Sequence, residues 1–156
     1  LGSFEAEDRI LIMYSDGYYE ITDQELTQRL DAEKILLIEK FNPEKVISAV
    51  YLDKKNLQFN VKRFKIETTT LKNRFLFIKE GDGNYLEAVS TANEPILAVQ
   101  TGRGDQVRKA KFKIARLTEV MGWKAVGTKL ADFSKSLQME WVKPKEEEDN
   151  QPGLFE

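Results

Sequence analysis

The 156-residue sequence contains no cysteine and no histidine. The first absence excludes disulfides and thiolate metal sites, and the second removes the commonest general base and metal ligand. No run approaches the roughly 18 apolar residues that a membrane-spanning helix needs. The opening LGSFEAEDRI has neither the basic nor the apolar region of a signal peptide. Together these absences favour an intracellular protein. Catalysis also lacks its usual vocabulary, because nothing reads as a P-loop, a nucleophile elbow or a metal-binding acidic cluster. Asp16-Gly17 and Asp82-Gly83 have the wrong surroundings for a calcium loop and read as turns. Paired carboxylates are the remaining route to an active site, so an enzyme within this chain is the least favoured class.

What is present is enough to build a core. Hydrophobic residues make up 41% of the chain and aromatics 10%, in a length that suits one compact domain with a tail. Most of the sequence reads as short strands separated by turn residues. ILIMYSDGYYEIT (Ile10–Thr22) predicts a hairpin turning at Asp16-Gly17. KILLIEKFNPEKVISAVYL predicts two strands around Asn42-Pro43, and DKKN turns into a further strand, LQFNVKRFKIE. In that strand Leu57, Phe59 and Val61 share one parity while Phe64 and Ile66 have the other, which predicts a bulge near Lys62-Arg63. FLFIKEGDGNYLEAVST reads as another hairpin, and PILAVQTGRGDQVRKAKFKI as a third, turning at Gly102–Asp105. LQMEWV (Leu137–Val142) closes the ordered part, with Leu137, Met139 and Trp141 on one face. Only TDQELTQRLDAEK has a helical pattern. Turn signals every 8–12 residues or so predict an all-β fold, with loosely repeated hairpins rather than an array of fixed period. From VKPKEEEDN onward the apolar residues vanish, so residues 143–156 read as a disordered acidic tail after a domain spanning 5–142.

Charge is unevenly distributed. Residues 1–60 hold 7 basic and 12 acidic side chains, whereas residues 101–136 hold 9 and 3, a net of +6 inside a chain whose formal charge is -2. The segment TGRGDQVRKAKFKIARL (Thr101–Leu117) carries six of those basic residues and one acid. Its Arg103-Gly104-Asp105 matches an adhesion tripeptide, but two glycines that supply positive φ make a turn the better reading. In the strand that follows, Lys109, Lys111 and Lys113 alternate with Ala110, Phe112 and Ile114. The lysines then share the outward face, spaced by about 6.6–6.8 Å. Such a row suits a polyanion such as duplex DNA, which presents one charge per roughly 1.7 Å of axis. Arg103, Arg108, Arg116, Lys124, Lys129 and Lys135 extend the row, and VKRFK adds Lys62, Arg63 and Lys65 from an earlier strand. A solvated strand face that deters edge-to-edge aggregation is the alternative.

VKRFKIETTTLKNRFLFI and GRGDQVRKAKFKIARLTEVMGWKAVGTKLADFSKSLQMEW resemble the C-terminal region of the A subunit of bacterial type IIA topoisomerases, topoisomerase IV more closely than gyrase. The resemblance rests on overall wording and hairpin rhythm across most of residues 5–142. It implies a β-pinwheel of four-stranded blades, truncated or open, with about three blades for this length. It also implies a basic rim that bends DNA, a rim that would include Arg108, Lys109, Lys111 and Lys113. No cofactor is implied. The family's catalytic tyrosine follows an arginine, and none of Tyr14, Tyr18, Tyr19, Tyr51 or Tyr85 does, so the expectation is a non-catalytic piece of an ATP-dependent enzyme. Gyrase carries a Gln-Arg-Arg-Gly-Gly-Lys-Gly-type box, and the nearest stretch here, QTGRGDQ (Gln100–Gln106), departs from it. That departure disfavours strong chiral wrapping. The resemblance further implies a cytoplasmic, nucleoid-associated location and a topoisomerase IV B subunit as partner through other parts of the protein.

The final QPGLFE is a separate signal. Gln151, Leu154 and Phe155 fit a Gln-x-x-Leu-Phe pattern that resembles peptides docking into the bacterial replication sliding clamp. The competing readings are that Leu154 and Phe155 pack back onto the domain or do nothing. Two function classes therefore stand: a DNA-binding topoisomerase domain, and a β-rich protein-interaction module working through its tail.

Overall fold

The computed structural model describes residues 9–23, 34–67, 70–71, 73–134 and 136–143. The predicted helix over TDQELTQRLDAEK, Lys135 and the tail residues Gln151, Leu154 and Phe155 therefore lie wholly or largely outside the described residues.

Twelve strands form three sheets among the described residues. The first contains β1 (Ile10–Tyr14), β2 (Tyr18–Thr22), β3 (Ile35–Lys40) and β6 (Arg74–Leu76), in the order β3-β1-β2-β6. The second contains β4 (Ile47–Asp53), β5 (Gln58–Phe64), β7 (Tyr85–Ser90), β10 (Val120–Met121) and β11 (Thr128–Asp132). Its order is β10-β5-β4-β7, with β11 also pairing β5. The third contains β8 (Ile96–Thr101), β9 (Arg108–Lys113) and β12 (Gln138–Trp141), in the order β12-β8-β9. The one α-helical turn described, α1 (Ile114–Leu117), follows β9.

A single plan generates all three sheets. Each begins with an antiparallel hairpin, β1-β2, β4-β5 or β8-β9. A third strand then pairs with the first strand of the hairpin: β3 on β1, β7 on β4, β12 on β8. In the first two sheets a further strand closes the other edge, and it comes from beyond the next hairpin. β6 follows the β4-β5 hairpin and returns to β2. β10 and β11 follow the β8-β9 hairpin and return to β5. FLFIKEGDGNYLEAVST is thus not a hairpin, because β6 and β7 belong to different sheets.

The second sheet is sandwiched between the other two. Ile47, Ala49 and Tyr51 of β4 face the first sheet, packing with Leu11, Met13, Tyr19 and Ile21. Val50 and Leu52, of opposite parity, face the third sheet and pack with Leu97, Val99 and Ile114. The parity change in β5 has the same origin. Phe59 and Val61 lie in the core shared with the third sheet, and Phe64 and Ile66 in the core shared with the first. Pairing between β4 and β5 runs unbroken from Ile47↔Phe64 to Asp53↔Gln58, so the predicted bulge near Lys62-Arg63 is absent. A strand buried on both faces is apolar at both parities, and a local pattern cannot distinguish that from a slip.

Candidate nucleic-acid interface

The β8-β9 hairpin positions the basic segment. Gly102 holds φ +89, and a Cβ there would collide with the Gln106 carbonyl oxygen, so the turn requires glycine. Arg103-Gly104-Asp105 is a turn, with the Gln106 N–H donating to the Arg103 carbonyl at 2.9 Å. Ser136 Oγ braces it by accepting the Gly102 N–H at 3.3 Å. Beyond the turn, Leu97↔Phe112 and Val99↔Ala110 form the inward rows of the pair. Ala98↔Lys111, Gln100↔Lys109 and Ile96↔Lys113 form the outward rows. Glu140 and Gln138 continue those rows on the far side of Ala98 and Gln100.

Lys109, Lys111 and Lys113 are all exposed on this outer face, and none has an ion-pair partner among the described residues. Ala98 and Gln100 leave a shallow depression between them and Gln138 and Glu140. At the Lys113 end a second depression includes Pro95 and Arg116, the latter in the last turn of α1. Arg103 is exposed at the hairpin tip. Arg108 is exposed too, but pairs with Thr101 and has the parity of Ala110 and Phe112, so it leaves the lysine row.

The other predicted cations are in different situations. Lys62 is not on the surface: it is 2% exposed, and its Nζ donates to the Phe77 carbonyl and, at 2.6 Å, to the Trp123 carbonyl. The ammonium also lies 5.1 Å from the centroid of the Phe64 ring. Burial pushes it down from 10.5 to about 8. Lys62 is therefore a buried tie between β5 and two loops, which corrects its placement among the phosphate-binding residues. Arg63 is half-buried and donates from Nε to Ser48 Oγ at 3.3 Å. Lys65 pairs with Glu44 at 3.8 Å and Lys129 with Asp132 at 2.7 Å, both exposed. Lys124 is exposed beside its neighbour, with Nζ 5.2 Å from the Trp123 ring centroid.

One basic group went unnoticed in the sequence. Lys54 and Lys55 at the β4-β5 turn and Lys79 lie around a single depression, but Asp53, Glu80 and Asp82 line it as well. Asp53 is 1% exposed and accepts from Lys79 Nζ at 3.0 Å and Asn56 Nδ2 at 2.9 Å. Burial alone raises its carboxyl, and these hydrogen bonds outweigh that and leave it lowered. The mixture of signs distinguishes this cluster from the lysine row. Among the described residues no group of side chains is arranged to hold a metal ion, and no helix is long and apolar enough to cross a membrane.

None of the curated proteins matches this sequence. Among solved structures, the crystal structure of the C-terminal domain of DNA topoisomerase IV is similar, with a TM-score of 0.62 over 91% of this chain at 10% identity. The chain spans 49% of that one, and at this identity the likeness shows the fold, an all-β pinwheel. The family model described as topoisomerase C-terminal domain, Bacteroidota, matches residues 1–136. With that match covering most of its length, the chain belongs to the Bacteroidota family of topoisomerase C-terminal domains.

Proposed function

We propose that this domain is the non-catalytic DNA-capturing part of a topoisomerase IV-type A subunit, and that it holds duplex DNA on the outer face of its third sheet. The observation that carries the reading is the row Lys109, Lys111, Lys113, exposed and without ion-pair partners among the described residues in a chain of net negative charge. Arg103 at the hairpin tip and Arg116 beyond β9 extend it at its two ends. Outward ammonium groups contact phosphates and release condensed counterions, which supplies affinity without reading sequence. Of the residues beside them on β8, Ile96 and Ala98 carry no hydrogen-bonding side chain, which leaves Gln100 as a single amide and no base-reading set on that strand. Capture guides a duplex segment toward a strand-passing core located elsewhere in the protein. The B subunit and, through Gln151, Leu154 and Phe155, the sliding clamp are partners proposed from sequence alone.

Fluorescence anisotropy with duplex DNA across a salt series tests this. The variant Lys109→Ala/Lys111→Ala/Lys113→Ala is expected to reduce the log–log salt slope by about 2.7, three phosphate contacts at about 0.9 each. Its stability should stay within about 0.5 kcal/mol of wild type, since the side chains are exposed. An unchanged slope, or no binding by the wild type at low salt, rejects the reading in favour of a protein-interaction module.

A further inference from the structure

Among the described residues the third sheet lacks an edge strand that the other two possess. In the first sheet β6 pairs along the outer side of β2, and in the second β10 and β11 pair along the outer side of β5. The equivalent side of β9 carries no strand among the described residues. The hydrogen-bond phase of the hairpin shows what that edge offers. The Ile114 N–H donates to the Pro95 carbonyl, and the Val142 N–H donates to the Ile96 carbonyl on the opposite side of β8. Antiparallel pairs alternate, so Arg108, Ala110 and Phe112 bond to β8 while Lys109, Lys111 and Lys113 direct their N–H and C=O groups to the open edge. The inward face is only partly covered there, with Phe112 packed against the core and Ala110 outside it. Ala110 is exposed and Phe112 half-buried, whereas Tyr19 and Ile21 of β2 and Phe59 and Val61 of β5 are buried.

We propose that the open edge of β9 accepts an extended peptide strand in trans, with carboxylates at alternate positions beside the lysines and apolar residues between them. Backbone pairing supplies the addition, as in other sheet-edge recognition. The carboxylates complement Lys109, Lys111 and Lys113, and the apolar side chains cover Ala110 and Phe112. A second copy pairing β9 to β9 would bring two lysine rows together on one face and is disfavoured by that repulsion. The proposal does not rest on DNA binding: it concerns backbone groups, and its readout differs.

The test is residue-resolved amide hydrogen exchange in the complete chain, with a short synthetic peptide of alternating Val and Glu as probe. Exchange at Lys109, Lys111 and Lys113 should slow by roughly tenfold or more, with Ala110 and Phe112 unchanged because β8 already protects them. A block peptide of the same composition should have no such effect. Lys111→Pro, which deletes an outward N–H and leaves the bonds to β8, should abolish the alternating protection, while Lys111→Thr should retain it. Absence of slowing, equal slowing by the block peptide, or protection of all three amides before any peptide is added overturns the proposal.

Discussion

The second and third sheets start from the same hairpin plan and end with opposite lysines. β5 is enclosed by β4 on one edge, by β10 and β11 on the other, and by a core on each face. Its Lys62 is therefore stripped of water and held by two carbonyls. Among the described residues β9 has one neighbour and an inward face that is only partly covered, and its three lysines are exposed. The same residue type is structural in one strand and available in the other, and the difference is set by closing strands that arrive from elsewhere in the chain. A lysine's role in this fold depends on whether its strand has been closed.

The sharpest way to break that contrast is Lys62→Ala. Removing the stem leaves a void and takes the donor from the buried bond to the Phe77 carbonyl and the part-buried bond to the Trp123 carbonyl, so unfolding stability should fall by about 2–4 kcal/mol in urea titrations. DNA affinity per folded molecule should be unchanged, and a loss would return Lys62 to the phosphate-binding set. A smaller effect, about 1–3 kcal/mol, is expected from Gly102→Ala, which forces a side chain into positive φ against the Gln106 carbonyl. That loss should appear as weaker packing of the third sheet only, read by amide exchange in β8 and β9.

The pH dependence sharpens the same comparison. Lys62 has a lowered value of about 8 in the fold against 10.5 unfolded, so between those values the unfolded chain binds more protons. The charge on its ammonium therefore costs stability below about pH 8, and that cost fades as pH rises toward 10.5. The difference in stability between wild type and Lys62→Met should shift in favour of wild type over that window, and a flat difference would contradict a desolvated ammonium. The smallest effect concerns the β4-β5 turn, where Leu57 sits at φ 51. Leu57→Gly should stabilise by about 0.5–1 kcal/mol by relieving left-handed strain on an exposed residue, measurable as a small rise in Tm.

Local chemistry made much of this legible. Asp16-Gly17 announces the β1-β2 hairpin, and Gly102 with Gly104 announces β8-β9, because those turns need positive φ. The lysine row of β9 was readable because one face of that strand is solvated, so alternation survives. Strand exchange was not readable. Nothing in Arg74-Phe75-Leu76 says that it pairs with β2, more than fifty residues upstream, instead of its neighbour β7. Lys62 was misplaced for a related reason, although a signal existed. Asn60, Lys62, Phe64 and Ile66 share one parity, and Phe64 and Ile66 are core residues, so Lys62 belongs to their face and not to the face of Arg63 and Lys65. Reading VKRFK as a block of charge hid that alternation.

The most direct measurement is the acetylation rate of each lysine, read by mass spectrometry with and without duplex DNA. DNA on the outer face of the third sheet should protect Lys109, Lys111 and Lys113, leave Lys54 and Lys55 at the β4-β5 turn reactive, and find Lys62 unreactive in both states. Protection at Lys54 and Lys55 with Lys109, Lys111 and Lys113 still reactive would contradict the account.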